Sequence, residues 1–279
     1  MSLTGGTATG APMSWPHWAR ANVSLAVAAF RRPRLREVQD IRARVLAAGL
    51  VTIVLVAAAM AFADAPLAEG AKHLPGWIHA AFAFVTDFGK SGWFLVPTGI
   101  LLLAIAVVAS PALTPLSRLM LAAIAVRAAF LFAAIAAPSL FATIIKHVIG
   151  RARPFVGNAA DPFLYVPLSW PAAYASMPSG HATTAFAAAV AIALVWPRLR
   201  WPMLVYALIV AASRVALDAH YLSDVIAGAF VGGAGALMVR DWFARRHLGF
   251  AVDAKGAAQP LPGPSWPRIK RVARSLFAP

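Results

Sequence analysis

Three short stretches hold the residues best suited to chemistry. The first is Lys146-x6-Arg153-Pro154, two cations seven apart, a spacing that puts both on one side of a helix ended by Pro154. The second is Met177-Pro178-Ser179-Gly180-His181, a turn that opens directly onto an apolar helical run. The third is Ser213-Arg214-x5-His220-x3-Asp224, in which His220 and Asp224 stack one above the other if the segment is helical. A turn feeding a helix N-terminus offers an anion free N–H groups and about half a positive charge. With three cations, two histidines and a carboxylate added, the set meets the demands of phosphoryl transfer. Charge on the equatorial oxygens is neutralised while a nucleophile and a leaving group are held in line.

Each stretch also has a plainer meaning. Ser179 alone is an N-cap. Lys146, Arg151 and Arg153 alone are interfacial charges at the end of a span. His220 and Asp224 form an ordinary i, i+4 pair or, with His181 and Asp218, part of a zinc site, which three adjoining cations disfavour. His147 and Asp218 belong to none of the stretches and read as supporting or neutral. The functional meaning therefore depends on whether the rest of the chain brings the three together.

The composition says what that chain is. Of 279 residues 61% are hydrophobic and the mean hydropathy is +0.72, far above a soluble domain. Cysteine is absent, so disulfides and thiolate metal sites are excluded. Residues 1–12 lack a basic region, and no cleavable signal peptide is expected. Residues 1–44 form a basic N-terminal segment, with Trp15, Trp18, an apolar run at 23–30 and six arginines after it suggesting an amphipathic surface piece.

Six spans are then expected at 45–63, 92–109, 119–145, 181–196, 201–217 and 222–239, the third interrupted by Pro138. The stretch 64–91 reads as a loop lying on the membrane around a short amphipathic piece at 77–85. Within it, 87–92 either borders the site entrance or is a simple polar turn. Arg127, inside the third span, is expected to snorkel toward the nearer end. Gly228, Gly232 and Gly235 give the last span a small-residue face for close packing inside the bundle. In the tail, 240–279, Pro260, Pro262, Pro264 and Pro267 mark a flexible linker, and 266–277 a basic amphipathic segment suited to anionic lipid.

Charge placement sets the topology. Seven Lys and Arg precede Val45, one lies in the 110–118 loop, two are Arg198 and Arg200, and eight follow Val239, which is 18 of the 25. The positive-inside rule puts these, and both termini, in the cytoplasm. The 146–180 loop, the start of the fourth span and the end of the fifth then share the outer face. The same count accounts for the net charge of +15 without a nucleic-acid partner.

Taken in order, the three stretches resemble the three-part signature of the type 2 phosphatidic acid phosphatase (PAP2) superfamily at every signature position. The resemblance implies an all-α, six-transmembrane-helix bundle of the PAP2/haloperoxidase-like kind, covering 45–239. The spans place the chain with the membrane lipid phosphatases rather than the soluble acid phosphatases or haloperoxidases. It also implies roles. His220 is the nucleophile that forms a phosphohistidine, Asp224 orients it, and His181 protonates the leaving alkoxide and then activates water. Lys146, Arg153 and Arg214 grip the phosphate, helped by the Ser179 hydroxyl and the Gly180 amide. No metal and no cofactor is expected, since the cations supply what Mg²⁺ would and no carboxylate pair on the outer face could hold one. The expected partners are a lipid phosphate or diphosphate and the surrounding lipids: phosphatidic acid, phosphatidylglycerol phosphate, undecaprenyl diphosphate or lipid A phosphate, at the periplasmic side of a bacterial inner membrane. A lipid phosphotransferase using the same phosphohistidine, and a non-catalytic anion- or lipid-binding transporter, are the alternatives.

Overall fold

Runs of Ala, Leu, Val and Ile that must satisfy their own backbone in lipid can do so as helices, and the chain is helical almost throughout. The computed structural model describes residues 15–35, 37–38 and 40–277; the 1–12 stretch and Arg36 lie outside the described residues. In order the helices are α1 (Trp15–Phe30), α2 (Arg42–Phe62), α3 (Asp64–Ala71), α4 (Gly76–Thr86), α5 (Gly92–Val108), α6 (Pro115–Ile149), α7 (Gly180–Val195), α8 (Arg200–Ala216), α9 (Leu222–Ala244) and α10 (Trp266–Phe277). A hairpin of β1 (Phe250–Val252) and β2 (Ala258–Pro260) precedes α10.

Among the described residues five helical stretches are long and apolar enough to cross a membrane. They are Arg42–Phe62, Gly76–Val108, Pro115–Ile149, Pro197–Ala216 and Leu222–Ala244; α7 is apolar but has only 16 residues. Two expectations change here. The 64–91 stretch is not a loop: it forms α3 and α4, and α4 runs through a tight Asp87–Gly89 turn into α5 as one apolar stretch. Pro138 does not interrupt α6, which is continuous over 35 residues.

The bundle is organised around α7, which packs against α6, α8 and α9. Its alanines are fully buried at positions 182, 185, 187, 188 and 191. The glycine face of α9 lies on α7, as the spacing predicts. A Cβ on Gly228 would stand 2.6 Å from the Ser179 carbonyl oxygen, and one on Gly232 2.2 Å from that of Thr183. Gly235 meets the Pro138 ring, with 2.7 Å left for a Cβ. Only hydrogen fits along this seam.

One end of the bundle is closed by aromatics and the two chain extremities. Phe130 meets Phe243 and Phe250 edge to face. Asn22 donates to the carbonyls of Ala106 and Ala109, and Trp18 to that of Val107. Arg127 donates to Ala123 O at 2.8 Å and to Leu261 O at 2.7 Å, so its guanidinium clamps the tail onto α6. The tail is thus folded up to Leu261, and the predicted linker is confined to 262–265, followed by the expected amphipathic helix α10.

The opposite end gathers the C-termini of α6 and α8 and the N-termini of α7 and α9. Here α6 stops at Gly150, not at Pro154. Gly150 is left-handed (φ 65°), its N–H caps Lys146 O at 3.0 Å, and a Cβ would lie 1.8 Å from Val166 O. Arg153 consequently lies beyond the helix, on a segment that pairs back with the loop through Arg151 and Tyr165. Because Gly232 has no room for a methyl group, Gly232→Ala is expected to destabilise the bundle by about 1–3 kcal/mol, read as a lower thermal midpoint of the purified protein in detergent.

Candidate active site

The turn before α7 is fixed from both sides. The Ser179 N–H donates to Asp224 O at 2.9 Å, tying the turn to the first turn of α9, and the Met177–Pro178 peptide is cis. Ser179 Oγ, fully buried, accepts from Ala182 N at 3.5 Å, so Ser179 is the N-cap of α7. Three cations surround this N-terminus. Lys146, in the last turn of α6, brings its ammonium to 3.9 Å from where a Gly180 Cβ would be. Arg153 is held by its own N–H to Ala173 O at 2.8 Å, and Arg214 Nη1 donates to Thr86 Oγ1. The Nε atoms of both arginines are buried without a protein partner. The charge of Arg153 is felt at Lys146, His181, Arg214 and His220. Its own pKa is pushed down by burial and held up in part by Asp224.

His181 opens α7, and the Asp87–Gly89 turn packs its backbone on the imidazole. A Cβ on Gly89 would lie 2.9 Å from His181 Cδ2. Tyr206 donates to Phe88 O at 2.8 Å and Trp93 to Asp87 O at 2.9 Å, which hold the turn there. The 87–92 stretch therefore borders the site.

His220 does not share a helix with Asp224. It precedes α9, with Tyr221 as N-cap, and its N–H donates to Arg214 O at 3.2 Å. Its Nδ1 lies 3.7 Å from Asp224 Oδ2, beyond hydrogen-bond reach, and 3.4 Å from Ser176 Oγ. Ser176 in turn donates to Asp224 Oδ2 at 2.5 Å, and the Tyr221 N–H donates to the same oxygen at 2.9 Å. A serine thus bridges the pair. This side of the ring is acceptor-rich, so the proton belongs on Nδ1 and the Nε2 lone pair is free. Burial depresses the His220 pKa, with Asp224 opposing in part, so the neutral ring is favoured.

Sequence reasoning missed four members of the site. Ser176 and Thr86 gave no signal, being single hydroxyls at the ends of largely apolar runs. Arg151, weighed as an interfacial charge, is fully buried and makes ion pairs with Asp224 at 2.5 Å and Asp64 at 2.8 Å. The carboxylates outweigh the burial that would lower its pKa. Asp64, at the start of α3, was read as loop; its partner lies 87 positions away. Of the neighbours left neutral, His147 bonds Ser169 O and meets the Trp170 ring at a tilt, the centroids 5.2 Å apart. Asp218 adopts φ 50° in the turn before His220, with its carboxyl pKa raised by burial. Among the described residues no three His, Asp or Glu side chains gather as a metal site would require.

Residues 127–248, which contain all three stretches, match the PAP2 superfamily. A lipid A 1-phosphatase of Rhizobium etli is 34% identical over 82% of this chain and 94% of its own. The chain belongs to the PAP2 superfamily. A lipid A 1-phosphatase of Rhizobium johnstonii is likewise 34% identical, over 81% of this chain and 88% of its own. The fold of this PAP2 protein is similar to the crystal structure of a transmembrane PAP2-type phosphatidylglycerolphosphate phosphatase from Bacillus subtilis. There the TM-score is 0.51 at 21% identity, covering 70% of this chain and 94% of the other. Family, relatives and apolar helices together make it an integral-membrane phosphatase.

The cation geometry predicts that Lys146→Ala, Arg153→Ala and Arg214→Ala each raise the inhibition constant for inorganic phosphate about 10-fold or more, a loss of about 1.4 kcal/mol or more. Competition assays on the purified variants check this.

Proposed function

We propose that this PAP2 protein hydrolyses the terminal phosphate of a lipid phosphate or diphosphate through a phosphohistidine on His220. The observation that carries the reading is the pairing of a buried, neutral imidazole, held by its Nδ1 side, with a cradle of cations whose Nε groups lack protein partners. Lys146, Arg153, Arg214, the Gly180 amide and the Ser179 hydroxyl bind the phosphate oxygens. His220 Nε2 attacks phosphorus, the bond from phosphorus to the lipid oxygen breaks, and His181 gives that oxygen a proton. His181 then takes a proton from water, whose oxygen attacks phosphorus. The phosphorus–nitrogen bond breaks, its electron pair returns to Nε2, and inorganic phosphate leaves. No step calls for a metal ion, because the cations and the α7 N-terminus neutralise the equatorial oxygens.

Two relatives named as lipid A 1-phosphatases, each matched over most of both chains, favour a phosphorylated glycolipid of that kind among the candidate substrates. The positive-inside count puts the site on the periplasmic side and both termini in the cytoplasm. On this reading α7 is the sixth crossing. At about 1.5 Å per residue it spans only about 24 Å, and a helix enclosed by α6, α8 and α9 has few lipid-facing groups to match to the bilayer.

The deciding experiment measures phosphate release from lipid A 1-phosphate, phosphatidic acid, phosphatidylglycerol phosphate and undecaprenyl diphosphate, with and without EDTA. Wild type should turn over the first fastest and ignore EDTA, while His220→Ala and His181→Ala fall by at least about 10³-fold, as removal of a catalytic unit does. Wild-type rates in His220→Ala would sink the reading. Enzyme quenched in alkaline denaturant, where a phosphorus–nitrogen bond survives, should carry labelled phosphate on histidine; label recovered on an acceptor lipid with little free phosphate would instead favour a phosphotransferase. The pH dependence has a definite sign. A depressed His220 pKa keeps the lone pair available below the ordinary value of 6.5 and loses it as pH falls through the lowered value. The acid limb of kcat/KM, corrected for phosphate ionisation near about 6, should therefore have its midpoint below 6.5.

A further inference from the structure

The cations at the active-site end are of two kinds. Arg153 and Arg214 keep a buried Nε unpartnered, whereas every nitrogen of Arg151 is engaged by protein. Nε donates to Pro162 O at 3.0 Å, and Nη1 to Ser223 Oγ at 2.6 Å and to Asp224 Oδ1 at 2.5 Å. Nη2 donates to Asp64 Oδ2 at 2.8 Å. Asp64, 1% exposed, is satisfied in the same knot, accepting from Ser223 N at 3.0 Å and Ser223 Oγ at 2.5 Å. Four of its five N–H groups are spent in this way and the side chain is fully buried, so Arg151 serves the protein and not a phosphate.

We propose that Arg151 and Asp64 are positioning residues for the phosphoryl transfer: Arg151 fixes Asp224 by its Oδ1, leaving Oδ2 to align Ser176 and His220, and Asp64 holds Arg151 in that pose. The argument is one of geometry and charge. A carboxylate has two oxygens, and its rotation about χ2 is broad unless both are held. With Oδ1 on a fork that also grips Asp64, Oδ2 keeps the direction that receives Ser176 and the Tyr221 N–H. Without the guanidinium, two buried carboxylates would face one another across Ser223. One would take up a proton, since like charges in a dry site cannot both ionise. A protonated or turned Asp224 no longer sets the His220 tautomer. The α2–α3 junction, remote from the three signature stretches, thus reaches the nucleophile through two ion pairs.

This inference rests on the phosphohistidine reading, so the test runs the purified full-length variants beside His220→Ala. Asp64→Asn should lower kcat about 10- to 100-fold, the usual cost of removing a supporting partner. Its KM and its inhibition constant for inorganic phosphate should stay within about twofold, the pattern of an interaction made only in the transition state. Arg151→Lys should lose a similar amount, because one ammonium cannot bridge both carboxylates as the fork does. The double variant should lose little more than either single one, as residues acting as a unit do. Ser223→Ala, which keeps all three charges, should show a smaller loss of the same kind and serves where Asp64→Asn fails to accumulate. Unchanged kcat in these variants, or a phosphate constant that rises in step with the loss of kcat, overturns the proposal. Activity surviving in His220→Ala overturns the functional reading instead.

Discussion

The contact on which the site depends is the approach of α9 to α7 at backbone distance. Gly228 and Gly232 let the two helices touch through main-chain atoms, and a side chain there would displace the Ser179 carbonyl in the turn before His181 or the Thr183 carbonyl just after it. The Ser179 N–H can reach Asp224 O only because that seam is closed. Two of the three chemical stretches are therefore registered against each other by the absence of side chains. The third is brought in by α6, whose last turn carries Lys146 over the N-terminus of α7. The helices that face outward contribute little to this; their exposed Leu, Ile and Val are what a lipid environment accepts.

Around that frame the charges divide the labour. Arg153 and Arg214 hold unsatisfied buried N–H groups, an arrangement that is costly for an empty pocket and suited to one that receives an anion. Arg151 is compensated internally by two carboxylates, and breaking such a buried cluster by deleting one member is far more damaging than never having built it. The distinction matters because Arg151 and Arg153 are only two residues apart and look equivalent in a charge count. Their surroundings, and not their identity, give them different work.

Much of this was legible in the residues. The order and spacing of Lys146, Arg153, Ser179, Gly180, His181, Arg214, His220 and Asp224 were enough to gather one site, and the small-residue pattern of α9 was enough to predict its close packing. The errors have physical causes. Residues 64–91 carry Glu69, Lys72, His73, Asp87 and Lys90, so a hydropathy reading sees a loop, whereas all five are exposed and, Glu69 apart, fall at the turns between short helices. Pro154 looked like the stop of α6, but a left-handed Gly150 ends a helix more sharply than a later proline does. Pro138 looked like a break because its notch is filled by a glycine 97 positions further on, which local patterning cannot show. The Arg151 and Asp64 pair was illegible for the same reason: each is ordinary alone, and their link is purely tertiary. Ser176, standing between His220 and Asp224, could be found only by measuring that the two are too far apart to bond directly.

Asp64 also imposes an order on assembly. It leaves the ribosome at the end of the first span, while its guanidinium partner follows 87 residues later and Ser223, which donates to it twice, 159 residues later. Until Arg151 has followed, the carboxylate lacks its counter-ion, and a lone charge is costly in an apolar bundle. The start of α3 therefore gains its full set of partners only with α9, which carries Ser223. A chain without its final helix would keep the ion pair between Asp64 and Arg151 but lose both Ser223 donors and the Asp224 carboxylate, so this one knot ties the first long helix of the bundle to the last.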